Sequence, residues 1–188
     1  MSKVLWHITM SLDGFVAGPD DDMGWLFGCG FAPDPQFVLQ TLNQIGALLI
    51  GHRTYHGGDG DQGAKTEKGE PYGGAWHGPQ FVFTRDDPGT AAPGFTFVGP
   101  DIKQAVQLAK DAAGGKYVSV LGPGLAAKVL GAGLLDEILV HVAPVLLGDG
   151  RRLYDHPGMA SIQLRPIGPT PQMTNIWMRV QPGVLPGE

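Results

Sequence analysis

Three apolar runs in this chain end beside a basic residue, a hydroxyl or a pair of glycines, which is where a backbone can meet an anion. The first is Ile50-Gly51-His52-Arg53-Thr54-Tyr55, a buried-strand pattern running straight into a glycine, a basic pair and a hydroxyl. The second, Phe81-Val82-Phe83-Thr84-Arg85, ends in a hydroxyl and a guanidinium. The third, Val118-Ser119-Val120-Leu121-Gly122-Pro123-Gly124-Leu125, is a strand-to-helix turn with two glycines. Glycine admits close approach of backbone to a ligand, and free N–H groups at a helix start favour anions. Any one of the three alone is a weak signal, since a glycine after a strand is usually just a turn. Together they put three anion-friendly turns at strand ends of one sheet, and ligands of open α/β sheets bind outside the carboxyl ends of strands. The combination points to a nucleotide. The common fingerprints are not the carriers, since no G-x-G-x-x-G opens a helical stretch and no G-x-x-x-x-G-K-[ST] occurs.

Other chemistry-bearing residues narrow the field. Asp13 before Gly14 reads as a turn former, because Asp-Gly suits tight turns without further purpose. His141 interrupts the apolar run Ile138-Leu139-Val140-His141-Val142 and reads either as a satisfied core histidine or as a group facing a site. The six histidines are scattered with no H-E-x-x-H or comparable spacing, so no catalytic metal is expected. Cys29 is the sole cysteine, which excludes an internal disulfide and a cysteine-based zinc cluster. It fits a reducing compartment. Lys and Arg number 13 against 18 Asp and Glu, a net charge of -5, so neither nucleic acid nor an anionic membrane is an expected partner. Without a signal-peptide pattern or an 18-residue apolar stretch, the expected location is cytoplasmic.

The elements that must position these turns alternate in type. Val4 to Met10, Ala47 to Ile50, Gln80 to Thr84, Phe95 to Val98, Lys116 to Leu121 and Glu137 to Val142 read as strands. Asp34-Pro35 starts a helix carrying Phe37, Val38, Thr41, Leu42 and Ile45 at helical spacing. Asp101 caps another through Ala113, stopped by Gly114-Gly115, and Ala126 to Leu130 forms a third. Ile162 to Ile167 and Thr174 to Gln181 read as a closing antiparallel pair. With 43% hydrophobic residues over 188 positions, the chain makes one domain with a sizeable core. Between Gly57 and Gly78 eight glycines and several charges mark a surface insertion.

A family resemblance rests on residues in the right order over nearly the whole chain. Thr9-Met10-Ser11-Leu12-Asp13-Gly14-Phe15-Val16-Ala17 resembles the "S-L-D-G-x-I-A" strand and loop of the dihydrofolate-reductase-like superfamily. It is most similar to the reductase domain of the riboflavin-biosynthesis deaminase–reductase and its stand-alone relatives. Gly51-His52-Arg53-Thr54 resembles that superfamily's cofactor turn, and Leu121-Gly122-Pro123-Gly124 its pyrophosphate turn. The run from Gly133-Leu134-Leu135-Asp136-Glu137 to Ala143-Pro144-Val145-Leu146-Leu147-Gly148-Asp149-Gly150 is the most specific match.

The resemblance implies an α/β, three-layer fold. Its central sheet would be eight-stranded and mostly parallel, with an antiparallel C-terminal edge and helices on both faces. It implies NADPH as cofactor and a two-fold homodimer. Thr9 would meet the nicotinamide carboxamide, with Ala17 and Trp25 in the covering loop. Gly51, His52, Arg53 and Thr54 would hold phosphates, and Thr84 and Arg85 would flank the adenosine ribose. Leu121, Gly122, Pro123, Gly124 and Leu125 would cover the pyrophosphate. Met23, Trp25 and His141 would face the substrate.

Two departures bear on which substrate that is. The acidic residue that dihydrofolate reductases carry a few positions after the tryptophan is missing; the nearest acid, Asp34, is itself a helix cap. Leu121 stands where the riboflavin reductases place a substrate glutamate. The deaminase's H-x-E and P-C-x-x-C zinc signature is absent as well. The expected activity is hydride transfer from NADPH to a small heterocycle, pterin- or pyrimidine-like, with no side chain assigned to the proton. Alternatives are 5-amino-6-(5-phosphoribosylamino)uracil reduction, dihydrofolate reduction, or NADP(H) binding without turnover.

Overall fold

The computed structural model describes residues 1–30, 33–56, 72, 75–85, 93–158, 162–168 and 174–181. The chain opens with β1 (Val4–Ser11) and β2 (Phe15–Ala17), then a single 3-10 turn (Pro19–Asp21) and α1 (Gly24–Gly28). α2 (Pro35–Asn43), β3 (Ile45–Gly51) and the one-turn α3 (His52–Tyr55) follow. Next come β4 (Gln80–Phe83), β5 (Phe95–Val98), α4 (Ile102–Ala112), β6 (Tyr117–Leu121), α5 (Pro123–Gly131) and β7 (Glu137–Ala143). The last three strands are β8 (Arg151–Arg152), β9 (Leu164–Pro166) and β10 (Asn175–Val180).

Eight of these strands form one sheet in the order β5-β4-β3-β6-β1-β7-β10-β9. All neighbours from β5 to β7 are parallel, whereas β10 runs antiparallel to both β7 and β9. β2 and β8 pair separately. Alternate residues of the central strands feed two apolar layers. Val4, Trp6, Leu49, Val118 and Val120 pack against Val106 and Ala109 of α4 and Val129 of α5. Leu5 and Leu139 meet Phe37 of α2 on the opposite face, and Leu48 and Ile50 meet Leu42. Helices therefore cover both faces, giving the three-layer α/β arrangement that the resemblance implies.

Helix starts follow local chemistry. The Asp34 carboxylate accepts from the N–H groups of Gln36 (2.8 Å) and Phe37 (3.3 Å), with Pro35 at the first helical position. Asp101 does the same for Lys103 (2.8 Å) and Gln104 (3.3 Å). Such caps satisfy donors that the helix itself leaves open. α5 begins three residues earlier than its apolar spacing suggests. Pro123 is compatible with a first turn, so Gly124 is helical and not part of a loop. The closing pair is shorter than the sequence reading, with only Leu164–Pro166 and Asn175–Val180 in strands. Most of the Gly57–Gly78 insertion lies outside the described residues.

At the amino ends of the strands, Glu137 is buried among four donors. It accepts from Lys3 Nζ (2.8 Å), Tyr117 Oη (2.7 Å) and Trp177 Nε1 (3.0 Å), and Arg179 lies at 3.7 Å. Burial alone would raise its carboxyl, but these hydrogen bonds outweigh it and hold Glu137 below the usual carboxylate range. Three hydrogen bonds and an ion pair hold the carboxylate in place, so the group is structural.

Candidate functional site

The first and third glycine turns touch at the carboxyl ends of β3 and β6. Gly122, the N-cap of α5, has φ +101°, and a Cβ there would run into Thr54 Oγ1. Only glycine fits both conditions. A Cβ on Gly51 would lie 3.5 Å from Leu125 Cβ and 3.6 Å from the Leu121 carbonyl, so these turns form one surface. No side chain caps the first turn of α5, and a Cβ on Gly124 would meet nothing within 4 Å.

Beside that open helix start lies a cleft of about 790 Å³, lined by Pro123, Gly124 and Ala127 on one side. The facing walls are the 3-10 turn from Gly18 to Asp21 and the segment from Asp149 to Asp155. Gly150 (φ +126°) lets the two walls close up, since a Cβ there would strike the Ala17 carbonyl. One carboxylate ties the parts together. Asp21 pairs with Arg151 through both oxygens, Nη2 at 3.0 Å, and lies 3.8 Å from Arg53 Nη1. Arg151 and Tyr154, which belong to no motif singled out in the sequence, also line the cleft. Their signal was weak because Arg151 meets Asp21 across 130 residues of chain.

The remaining sequence candidates spread along the same edge. Phe83 is in register with Gly51, so Thr84 and Arg85 follow one strand farther out, with Arg85 exposed. His52 is exposed, its ring 4.4 Å from that of His56. Thr9 sits near the end of β1, opposite His141 of β7. Met23 caps α1, and Trp25 lies within it, its Nε1 buried without a hydrogen-bond partner among the described residues. Asp13 is a clasp. It accepts from Ser11 Oγ (2.6 Å) and from the N–H groups of Leu147 (3.1 Å) and Gly148 (2.8 Å). These bonds, that from Ser11 first, bring its carboxyl down to about 2.

His141 is a satisfied core histidine, 2% exposed. Its Nδ1 is 2.7 Å from Asn175 Oδ1 and its Nε2 is 2.7 Å from His7 Nε2. Phe37 meets the ring edge-on, centroids 6.2 Å apart. With Asn175 Oδ1 accepting from Nδ1–H, His141 Nε2 must accept in turn from His7 Nε2–H. Burial first, then the neighbouring His141, bring His7 down to about 3; burial also lowers His141, against the Asn175 bond. Both rings are neutral near pH 7. The sequence reading missed His7, because it lies in a run taken whole as an apolar strand.

Residues 2–174 match the model of the RibD C-terminal domain family. The Bacillus subtilis protein YyaP is 26% identical over 156 residues, covering 81% of this chain and 80% of its own. A protein from Shewanella sp. PV-4 assigned to riboflavin biosynthesis shares the fold with a TM-score of 0.66 at 19% identity, over 96% of this chain and 98% of that one. A Thermotoga maritima diaminohydroxyphosphoribosylaminopyrimidine deaminase/5-amino-6-(5-phosphoribosylamino)uracil reductase gives 0.62 at 14% identity, over 97% of this chain and 57% of that one.

Proposed function

Because the chain belongs to the RibD C-terminal domain family, we propose that it is an NADPH-dependent reductase that passes a hydride to a small planar heterocycle, pterin- or pyrimidine-like. The observation that carries this reading is the cleft at the uncapped start of α5, where two glycine turns meet. An open helix start with room beside it suits a pyrophosphate. In this reading Leu121, Gly122, Pro123, Gly124 and Leu125 cover the pyrophosphate, and Gly51, His52, Arg53 and Thr54 hold phosphate oxygens. Thr84 and Arg85 flank the adenosine ribose. Thr9 meets the carboxamide, with Ala17 and Trp25 above it.

When bound, NADPH supplies the hydride. The protein's share is orientation and exclusion of water. For Arg151 the same anion would have to compete with a carboxylate already in place, since Asp21 engages it through both oxygens. Leu121 offers no carboxylate to a substrate, which favours a ring other than the phosphoribosylaminouracil handled by the riboflavin reductases. The same reading pairs two copies about a two-fold axis, with Ile176, 37% exposed on β10, among the contact residues. Light scattering checks this, the expected mass being about twice the chain's 19.9 kDa.

Titration with NADPH, followed through quenching of the four tryptophans, tests the cofactor. Loss of NADPH absorbance over a panel of oxidised pterins, pyrimidines and small carbonyls then tests turnover. Saturable quenching with a turned-over heterocycle is the expected result. Failure to quench removes the reading, and quenching without turnover on any ring leaves a binding protein in its place.

A further inference from the structure

On the sheet face beneath α2 polar side chains interrupt the apolar pattern on four neighbouring strands. Ser119 on β6, His7 on β1, His141 on β7 and Asn175 on β10 share a face with Leu5, Leu48 and Leu139. A sheet built only for stability would carry aliphatic side chains here, because buried polar groups oppose folding unless they are paired. Pairing runs from Asn175 through His141 to His7, each contact 2.7 Å. It then stops. His7 Nδ1 is buried with no hydrogen-bond partner among the described residues.

A planar ring already lies on this stripe. Tyr72 stacks against the His7 imidazole, centroids 5.7 Å apart and planes 24° from parallel, and its hydroxyl lies 2.9 Å from Ser119 Oγ. The phenol bonds at one end of the stripe and offers nothing to His7 Nδ1. We propose that the stripe is the seat of the substrate ring, and that Tyr72 holds the place of a planar heterocycle bonding both Ser119 Oγ and His7 Nδ1. The proposal rests on the reductase reading above. Thr9 lies two residues along β1 on the same face, so a ring seated here adjoins the residue assigned to the nicotinamide.

The chain of tautomers sets the chemistry of that ring. His7 has committed its Nε2–H to His141, so a neutral imidazole presents only a lone pair at Nδ1. The ring edge must therefore bring a lactam N–H or an amino group, and a carbonyl at that position is refused. Burial keeps His7 neutral, which fixes this preference over the physiological range. An unmatched acceptor discriminates strongly, because a ligand without the donor leaves it unpaired.

The test uses the full chain labelled with ¹⁵N-histidine and saturated with NADP⁺, titrated with lumazine, pterin, 6-aminouracil and 2,4-diaminopyrimidine. At least one ring should move the His7 Nδ1 resonance from that of an unprotonated, unbonded nitrogen towards a hydrogen-bonded one. Its N-methylated analogue should not. His7→Leu should bind that ring about tenfold more weakly, and Tyr72→Phe, which loses the Ser119 anchor, severalfold more tightly. NADP⁺ binding by both variants serves as the check on folding. The proposal is overturned if no ring moves His7, if Nδ1 proves protonated in the free protein, or if His7→Leu binds the ring as tightly as the parent chain. Absence of NADP⁺ binding would count against the reductase reading instead, and the same titration without cofactor still decides the ring site.

Discussion

Gly122 and Gly124 stand two residues apart in one turn, yet a side chain would act differently at each. At Gly122 it would be strained by φ +101° and would collide with Thr54 Oγ1, so Gly122→Val disturbs the turn itself. At Gly124 a Cβ meets open space in the wall of the cleft. Valine has a higher helix propensity than glycine, so Gly124→Val should keep the far-UV spectrum and thermal midpoint. NADPH affinity should fall by roughly tenfold or more, a loss of about 1.4 kcal/mol per decade. Normal binding by this variant would remove α5 from the cofactor site. Arg85 carries a second prediction. Arg53 already faces Asp21, which leaves Arg85 as first candidate for the 2′-phosphate that distinguishes NADPH from NADH. A charge-assisted hydrogen bond contributes about 1.5–3 kcal/mol, roughly a 10- to 150-fold preference. Arg85→Ala should weaken NADPH by that factor and spare NADH, and equal losses for both cofactors would exclude it.

Among the elements, the central strands were legible because β3, β6 and β7 are largely apolar runs, broken only by Ser119 in β6 and by Glu137 and His141 in β7, close to the pattern of strands covered on both faces. Their glycine ends were legible for the same reason. The small β2–β8 pair was not, since strands of three and two residues carry no period to read. With it went the Asp21–Arg151 pairing that closes the cleft. His7 was illegible for another cause: a strand pattern says which residues are buried, not which polar groups meet across a sheet. α2 shows how local chemistry supports this arrangement, for it carries Phe37 onto both His141 and Trp177, each centroid 6.2 Å away. Its start depends on the Asp34 cap. Asp34→Ala should cost about 1 kcal/mol, read as a lower urea midpoint with an unchanged slope. A midpoint equal to that of the parent chain would show that packing alone holds α2.

For the whole molecule, the buried histidine pair makes stability depend on pH. In the unfolded chain each histidine titrates near 6.5, whereas in the fold His7 is down to about 3 and His141 is also lowered. Between those values the unfolded state binds more protons, so stability rises with pH there. The contribution is complete above about 6.5 and drains as pH falls towards the folded values. Its slope is about 1.4 kcal/mol per pH unit for each proton. Glu137 and Asp13, both held low in the fold, act in the same direction but only below the ordinary carboxylate range, about 4. The window from pH ~6.5 to ~5 therefore belongs mainly to the histidines. Urea unfolding across that window should show the parent chain losing stability steadily. His7→Leu lowers stability throughout, because it strands His141 Nε2, but it should flatten the curve by close to one proton's slope. Parallel curves for the two proteins would mean that His7 is protonated in the fold, and the neutral relay from Asn175 would then be wrong.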